Sequence, residues 1–125
     1  MVIESHPRLD DGSPFPTLYW LTCPILIKRA SKLESEGWME QLNVRLAADD
    51  ALRDRLGQAV DAYREARDRH EALEPVPAPP GGGPERVKCL HSHLAHRLVG
   101  SNPVGALVLS RAGFPDCRLP CVDAP

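Results

Sequence analysis

Residues Glu74–Gly83 hold four prolines and three consecutive glycines, a composition that neither a helix interior nor a central strand accommodates. The stretch reads as a connector, and it divides the chain into a long upstream part and a short downstream part that must pack together. A Gly-Gly-Gly run before a helix can cradle phosphate with its backbone N–H groups. Here it lacks the Lys-Ser/Thr pair of a P-loop and the spacing and preceding strand of a dinucleotide fingerprint, so a hinge or linker is the stronger interpretation. At 125 residues the chain suits one small domain with a modest core.

Upstream, Val2 and Ile3 read as a strand end, and Asp11-Gly12 is a turn signal. Pro14 and Pro16 force extended geometry before Thr17–Thr22, whose β-branched and aromatic residues suit a second strand and hence a hairpin. Cys23 ends that strand and Pro24 suits the first turn of a helix. Ile25, Leu26, Ala30 and Leu33 share one face of that helix, and Gly37 ends or bends it. Trp38, Met39, Leu42 and Leu46 mark a second helical segment. Asp49 or Asp50 is a credible N-cap for a third, in which Leu52, Leu56, Ala59, Tyr63 and Ala66 lay an apolar stripe. Glu65 with Arg69, and Asp61 with Arg64, are spaced to form surface ion pairs.

Downstream, three of the five histidines and one of the four cysteines fall within the eight positions from Cys89 to His96. Pro84 and Glu85 suit the start of a final helix. On it Val87, Leu90, His91, Leu94 and Leu98 share one face, and Cys89, His93 and His96 share the opposite one. That spacing allows Cys89, His93 and His96 to converge on one zinc ion, with Cys23 as the fourth ligand. There is no Cys-x-x-Cys pair and no His-Glu-x-x-His.

The net charge of −2 gives no concentrated basic face, which argues against nucleic acid. The longest apolar run, Leu18 to Ile27, is interrupted by Pro24 and is shorter than the ~20 residues that cross a bilayer. With no basic-then-apolar leader, the expected location is the cytoplasm, where four cysteines are reduced thiols or metal ligands rather than disulfides.

Several segments together resemble a known family: Pro7-Arg8-Leu9, Asp11-Gly12, Pro14-Phe15-Pro16-Thr17-Leu18-Tyr19, Leu21-Thr22-Cys23-Pro24, Arg86-Val87-Lys88-Cys89-Leu90-His91 with Ala95-His96, and Asn102-Pro103. Over roughly Ile3 to Gly105 the chain resembles the bacterial, mostly actinobacterial, domain of unknown function 501. That family has no established activity. Its genes often neighbour those of an exopolyphosphatase and a septum-formation initiator. The resemblance implies a preceding segment with a Cys-Pro-x-Gly-like turn, not present before Met1, and selects Cys23, Cys89, His91 and His96 as the metal set. His93 stands where the family usually has an apolar residue. The two ligand sets differ, because on one helix His91 faces away from Cys89, and Cys89 and His96 are about 10.5 Å apart along the axis.

The expected architecture is α+β: a short N-terminal β-hairpin or ribbon followed by about four helical segments. These form a single domain over residues 1–105, with connector 74–83 inside it and an irregular tail at 106–125 whose Cys117 and Cys121 are tail thiols. Three functions stand open. One is a structural Zn2+ site built from Cys and His. A second is a thiol-dependent enzyme with Cys89 as nucleophile and His91 or His96 as base. The third is a metal-free protein that binds an unidentified protein partner and is linked to cell division or phosphate metabolism.

Overall fold

A computed structural model describes residues 1–6, 10–11, 17–70, 81–83 and 85–117. The expected α+β architecture is present, with a two-stranded antiparallel hairpin followed by five helices. Strand β1 (Val2–Glu4) pairs with β2 (Tyr19–Leu21) in the register Val2↔Leu21, Ile3↔Trp20 and Glu4↔Tyr19. Side chains alternate across a strand. Ile3 and Trp20 therefore share the outer face and are exposed, and Leu21 turns inward to pack on the core. Pro14 and Pro16 lie outside the described residues, as does the connector up to residue 80.

Helix α1 (Pro24–Ser35) begins with Pro24 in its first turn and buries Leu26, Ala30 and Leu33. Gly37 adopts the left-handed conformation, φ +83°, that lets the chain turn into α2 (Trp38–Ala48), which buries Leu42 and Leu46. The Asp49 carboxylate accepts from the Leu52 N–H at 3.0 Å and caps α3 (Asp50–Asp68). The expected stripe is present. Leu52, Leu56, Ala59 and Tyr63 are buried, Ala66 is half-buried, and Val60 and Arg67 join the inner face. Arg67 is an unusual member. Among the described residues its fully buried guanidinium has no hydrogen-bond partner, and its one ion pair, with Asp68, is 4.0 Å long.

The last part of the chain departs from the expected helix. Residues 86–89 are not helical, Cys89 being extended, and α4 (Leu90–Val99) begins only after Cys89. The Asn43 side-chain amide pairs with the Val87 backbone in both directions, accepting from its N–H at 2.6 Å and donating to its carbonyl at 3.1 Å. The Lys88 N–H donates to the Gly81 carbonyl at 2.8 Å. These bonds occupy groups that a helix would have used, so helical propensity loses here to a tertiary partner.

A fifth helix, α5 (Pro103–Ala112), crosses the boundary expected at residue 105. It buries Val104, Gly105 and Val108, and the Arg29 side chain donates to the carbonyls of Ala112 and Gly113 at its C-terminal end, at 3.2 and 2.8 Å. Helix α4 packs on α5, β2 and α1. It is thus the central element, with Leu90 and Leu94 fully buried beside Leu26, Leu46 and Leu56. Burial of each such leucine contributes about 1.5–3 kcal/mol.

Candidate metal centre

Because α4 starts at Leu90, Cys89 stands at the N-cap and is not committed to the face opposite His91. One ligand atom each from Glu34, Cys89 and His91 all lie within 4.8 Å of one another, and all three residues are half-buried. The carboxylate comes from the last turn of α1, the thiol from the end of the non-helical segment and the imidazole from the first turn of α4. Among the described residues no other three Cys, His, Asp or Glu side chains come this close. His91 Nδ1 is 2.7 Å from Glu34 Oε1. Its Nε2 is 3.2 Å from the Ile27 carbonyl and 3.0 Å from Ser31 Oγ. The Ile27 carbonyl can only accept, so Nε2 carries hydrogen, and Nδ1, which faces the Glu34 carboxylate, would take a metal in place of the proton between the two groups. This is how metal-binding histidines are usually oriented by an outer partner. A groove of about 320 Å3, lined by Tyr19, Trp20, Leu21 and Ile27 among others, opens beside Cys89 and His91.

The other residues read as ligands from sequence lie elsewhere. Cys23 is buried in the hydrophobic core at the N-cap of α1. His96 is buried about two helical turns beyond Cys89, in a second cluster with His93, Tyr63 and Asn102. There Asn102 Oδ1 accepts from the Gly105 N–H at 2.9 Å, which orients the amide and turns its NH2 toward both rings. Asn102 Nδ2 donates to His93 Nδ1 at 3.1 Å and to His96 Nδ1 at 3.2 Å. His93 Nε2–H then donates to the Gly81 carbonyl at 2.9 Å. The His96 ring stacks on Tyr19 and meets the edge of Tyr63, with centroids at 5.8 and 5.4 Å. The Tyr63 hydroxyl accepts from the Leu18 N–H at 2.6 Å, fastening the hairpin to α3. A void of about 20 Å3 beside these rings has room for one water molecule.

Glu34 and Asn102 are the two side chains of these clusters that the sequence does not single out as candidate site residues. Asn102-Pro103 did carry the signal of an N-cap followed by a first-turn proline. Glu34 carried none, because its role depends on how α1 lies against α4.

A family model described as a protein of unknown function, DUF501, matches residues 1–110. The chain belongs to the DUF501 family. No curated protein matches it. No solved structure does either. Among the described residues of this DUF501 protein, no helix is long and apolar enough to cross a membrane.

The two buried histidines give this DUF501 domain a definite response to acid. Burial, reinforced by the neighbouring His93, lowers the pKa of His96 to about 4, and burial lowers that of His93 as well. The unfolded chain binds protons near pH 6.5. Between pH ~6.5 and ~4 the unfolded state therefore holds more protons than the native one, and stability falls as pH falls. His96 alone is expected to remove about 2 kcal/mol between pH 7 and pH 5. Urea midpoints at the two pH values check this, and equal midpoints would contradict it.

Proposed function

We propose that the domain binds a divalent transition metal, zinc being the best fit, through Glu34 Oε1, Cys89 Sγ and His91 Nδ1. The observation that carries this reading is the convergence of three ligand atoms of the types zinc prefers, within 4.8 Å, from two elements distant in sequence. An ion there would cross-link the end of α1 to the start of α4, and a three-residue set would leave a further position for water or a fourth ligand. The short contact between Glu34 and His91 is compatible with a proton shared between them, which the ion replaces on binding. Metal affinity accordingly weakens in acid. Cys23 and His96 take no part in the proposed set.

Metal-free protein titrated with zinc against a chromophoric chelator is expected to bind about one ion per chain. Cys89→Ser and Glu34→Gln should each weaken binding by more than the ~10–100-fold typical of losing an outer-shell partner. Cys23→Ser should leave the stoichiometry unchanged. Zinc at ~100 times its Kd should stabilise the fold by about 2.7 kcal/mol. Zinc retained at full affinity by Cys89→Ser would sink the assignment. A chain that takes up no zinc but whose Cys89 is alkylated unusually fast near neutral pH would favour thiol chemistry instead, with Glu34 orienting His91.

A further inference from the structure

The groove of about 320 Å3 is walled by three elements: Tyr19, Trp20 and Leu21 of β2, Ile27 of α1, and Cys89 and His91 at the start of α4. Its volume stands at the lower end of the ~300–1,000 Å3 typical of small-molecule sites. Leu21 and Ile27 are half-buried, so they present aliphatic surface to the groove while they pack against the fold.

The groove and the candidate metal centre share residues. Cys89 and His91 belong to both, whereas Glu34 joins the centre from the last turn of α1 and is not in the described lining of the groove. An ion held by all three would therefore have two of its ligands in the groove wall. Structural zinc sites are closed by four protein ligands, and a set of three is the open form. Among the described residues no fourth Cys, His, Asp or Glu joins Glu34, Cys89 and His91. A molecule in the groove can supply what the set lacks.

Charge selects the donor on that molecule. The Glu34 carboxylate and a Cys89 thiolate together cancel the double positive charge of the ion, and His91 binds as a neutral ring. The other described residues of the wall are uncharged. An anionic donor would leave net negative charge against an apolar wall, which is costly. A neutral oxygen or nitrogen donor leaves none.

On the reading that Glu34, Cys89 and His91 hold a divalent metal, we infer that this groove binds a small apolar molecule with one uncharged oxygen or nitrogen donor. The donor takes the remaining position on the ion, and the apolar part rests against Leu21 and Ile27.

Full-length protein loaded with cobalt in place of zinc provides the test, because cobalt reports its thiolate ligand and its coordination separately. A sulfur-to-cobalt charge-transfer band, lost in Cys89→Ser, marks the metal in its site. Phenylimidazole is then expected to change the visible d–d bands with the charge-transfer band retained. It should bind about tenfold more tightly than imidazole, which shares the donor but lacks the apolar part, and more tightly than benzoate, which has the ring but an anionic donor. Ile27→Ala trims the wall and keeps the carbonyl that orients His91. It should lower the affinity for phenylimidazole by about fivefold and leave that for imidazole within about twofold. A retained charge-transfer band shows that the variant still forms the site, and the comparison of the three probes in wild type stands without it. No charge-transfer band in wild type, or one that survives Cys89→Ser, would bring down the metal site and this inference together. With the band in place, d–d bands that ignore phenylimidazole, equal affinities for phenylimidazole and imidazole, a stronger response to benzoate, or unchanged affinities in Ile27→Ala would overturn this inference alone.

Discussion

Asn102→Ala is expected to destabilise the domain by about 3–5 kcal/mol, well beyond the ~1 kcal/mol of an ordinary N-cap loss. One side chain here satisfies three buried groups: the Gly105 N–H through Oδ1 and the Nδ1 atoms of His93 and His96 through Nδ2. Alanine removes the cap and leaves two buried ring nitrogens without a donor, each costing about 1–3 kcal/mol unless water enters. Asn102→Asp separates these effects. The carboxylate keeps the cap but presents an acceptor to two acceptors; His96 can answer by moving its hydrogen to Nδ1, whereas His93, whose Nε2–H is held by Gly81, must be protonated to donate. The aspartate variant should be strongly destabilised at pH 7.5 and recover part of the loss as pH falls toward 6, a trend opposite to wild type. Urea unfolding of both variants over that range measures it. An alanine variant within about 1 kcal/mol of wild type would mean that the network contributes little.

Gly105→Ala should also be severe, and its sign runs against helix propensity. In an open helix interior this change stabilises by about 1 kcal/mol. In α5 the added Cβ would collide with the His93 carbonyl and stand 2.6 Å from the Arg97 Cβ. Backbone rather than a flexible side-chain end is the obstacle, so α4 and α5 must separate. An overpacking loss of about 3 kcal/mol or more is expected, together with weaker packing of Val104 and Val108. Denaturant midpoints decide it, and a variant as stable as wild type would show that the helix pair can slide apart without penalty.

What the sequence made legible was local. Proline in the first turn of α1, the Asp49 cap and the stripe on α3 each depend on neighbours within a few positions, and all three are present. The start of α4 lies later than the local pattern predicts because its determinant is 44 residues away: the amide of Asn43 bonds the Val87 backbone on both sides. The candidate site followed the same division. Cys89 and His91 were identified as a ligand pair by resemblance, yet a continuous helix set them on opposite faces. Only the late start of α4 lets them converge, with Glu34 supplied by α1. His96 carries the right chemistry in the wrong surroundings, since Asn102 and two tyrosines enclose it. The extension of α5 past residue 105 follows from Val108, whose burial beneath α4 no local pattern announced.

The connector is anchored at both ends. His70 is bound to Glu4 of the hairpin, and Gly81 accepts from both Lys88 and His93. Ten residues, 71–80, join these anchors. The loop-closure entropy between two held ends grows only as the logarithm of the length that joins them. Doubling the join costs only about 0.6 kcal/mol, less than the ~1 kcal/mol of a single hydrogen bond at either anchor. On this term alone, length variation or the insertion of foreign sequence between the two anchors costs far less than the same change inside a packed helix.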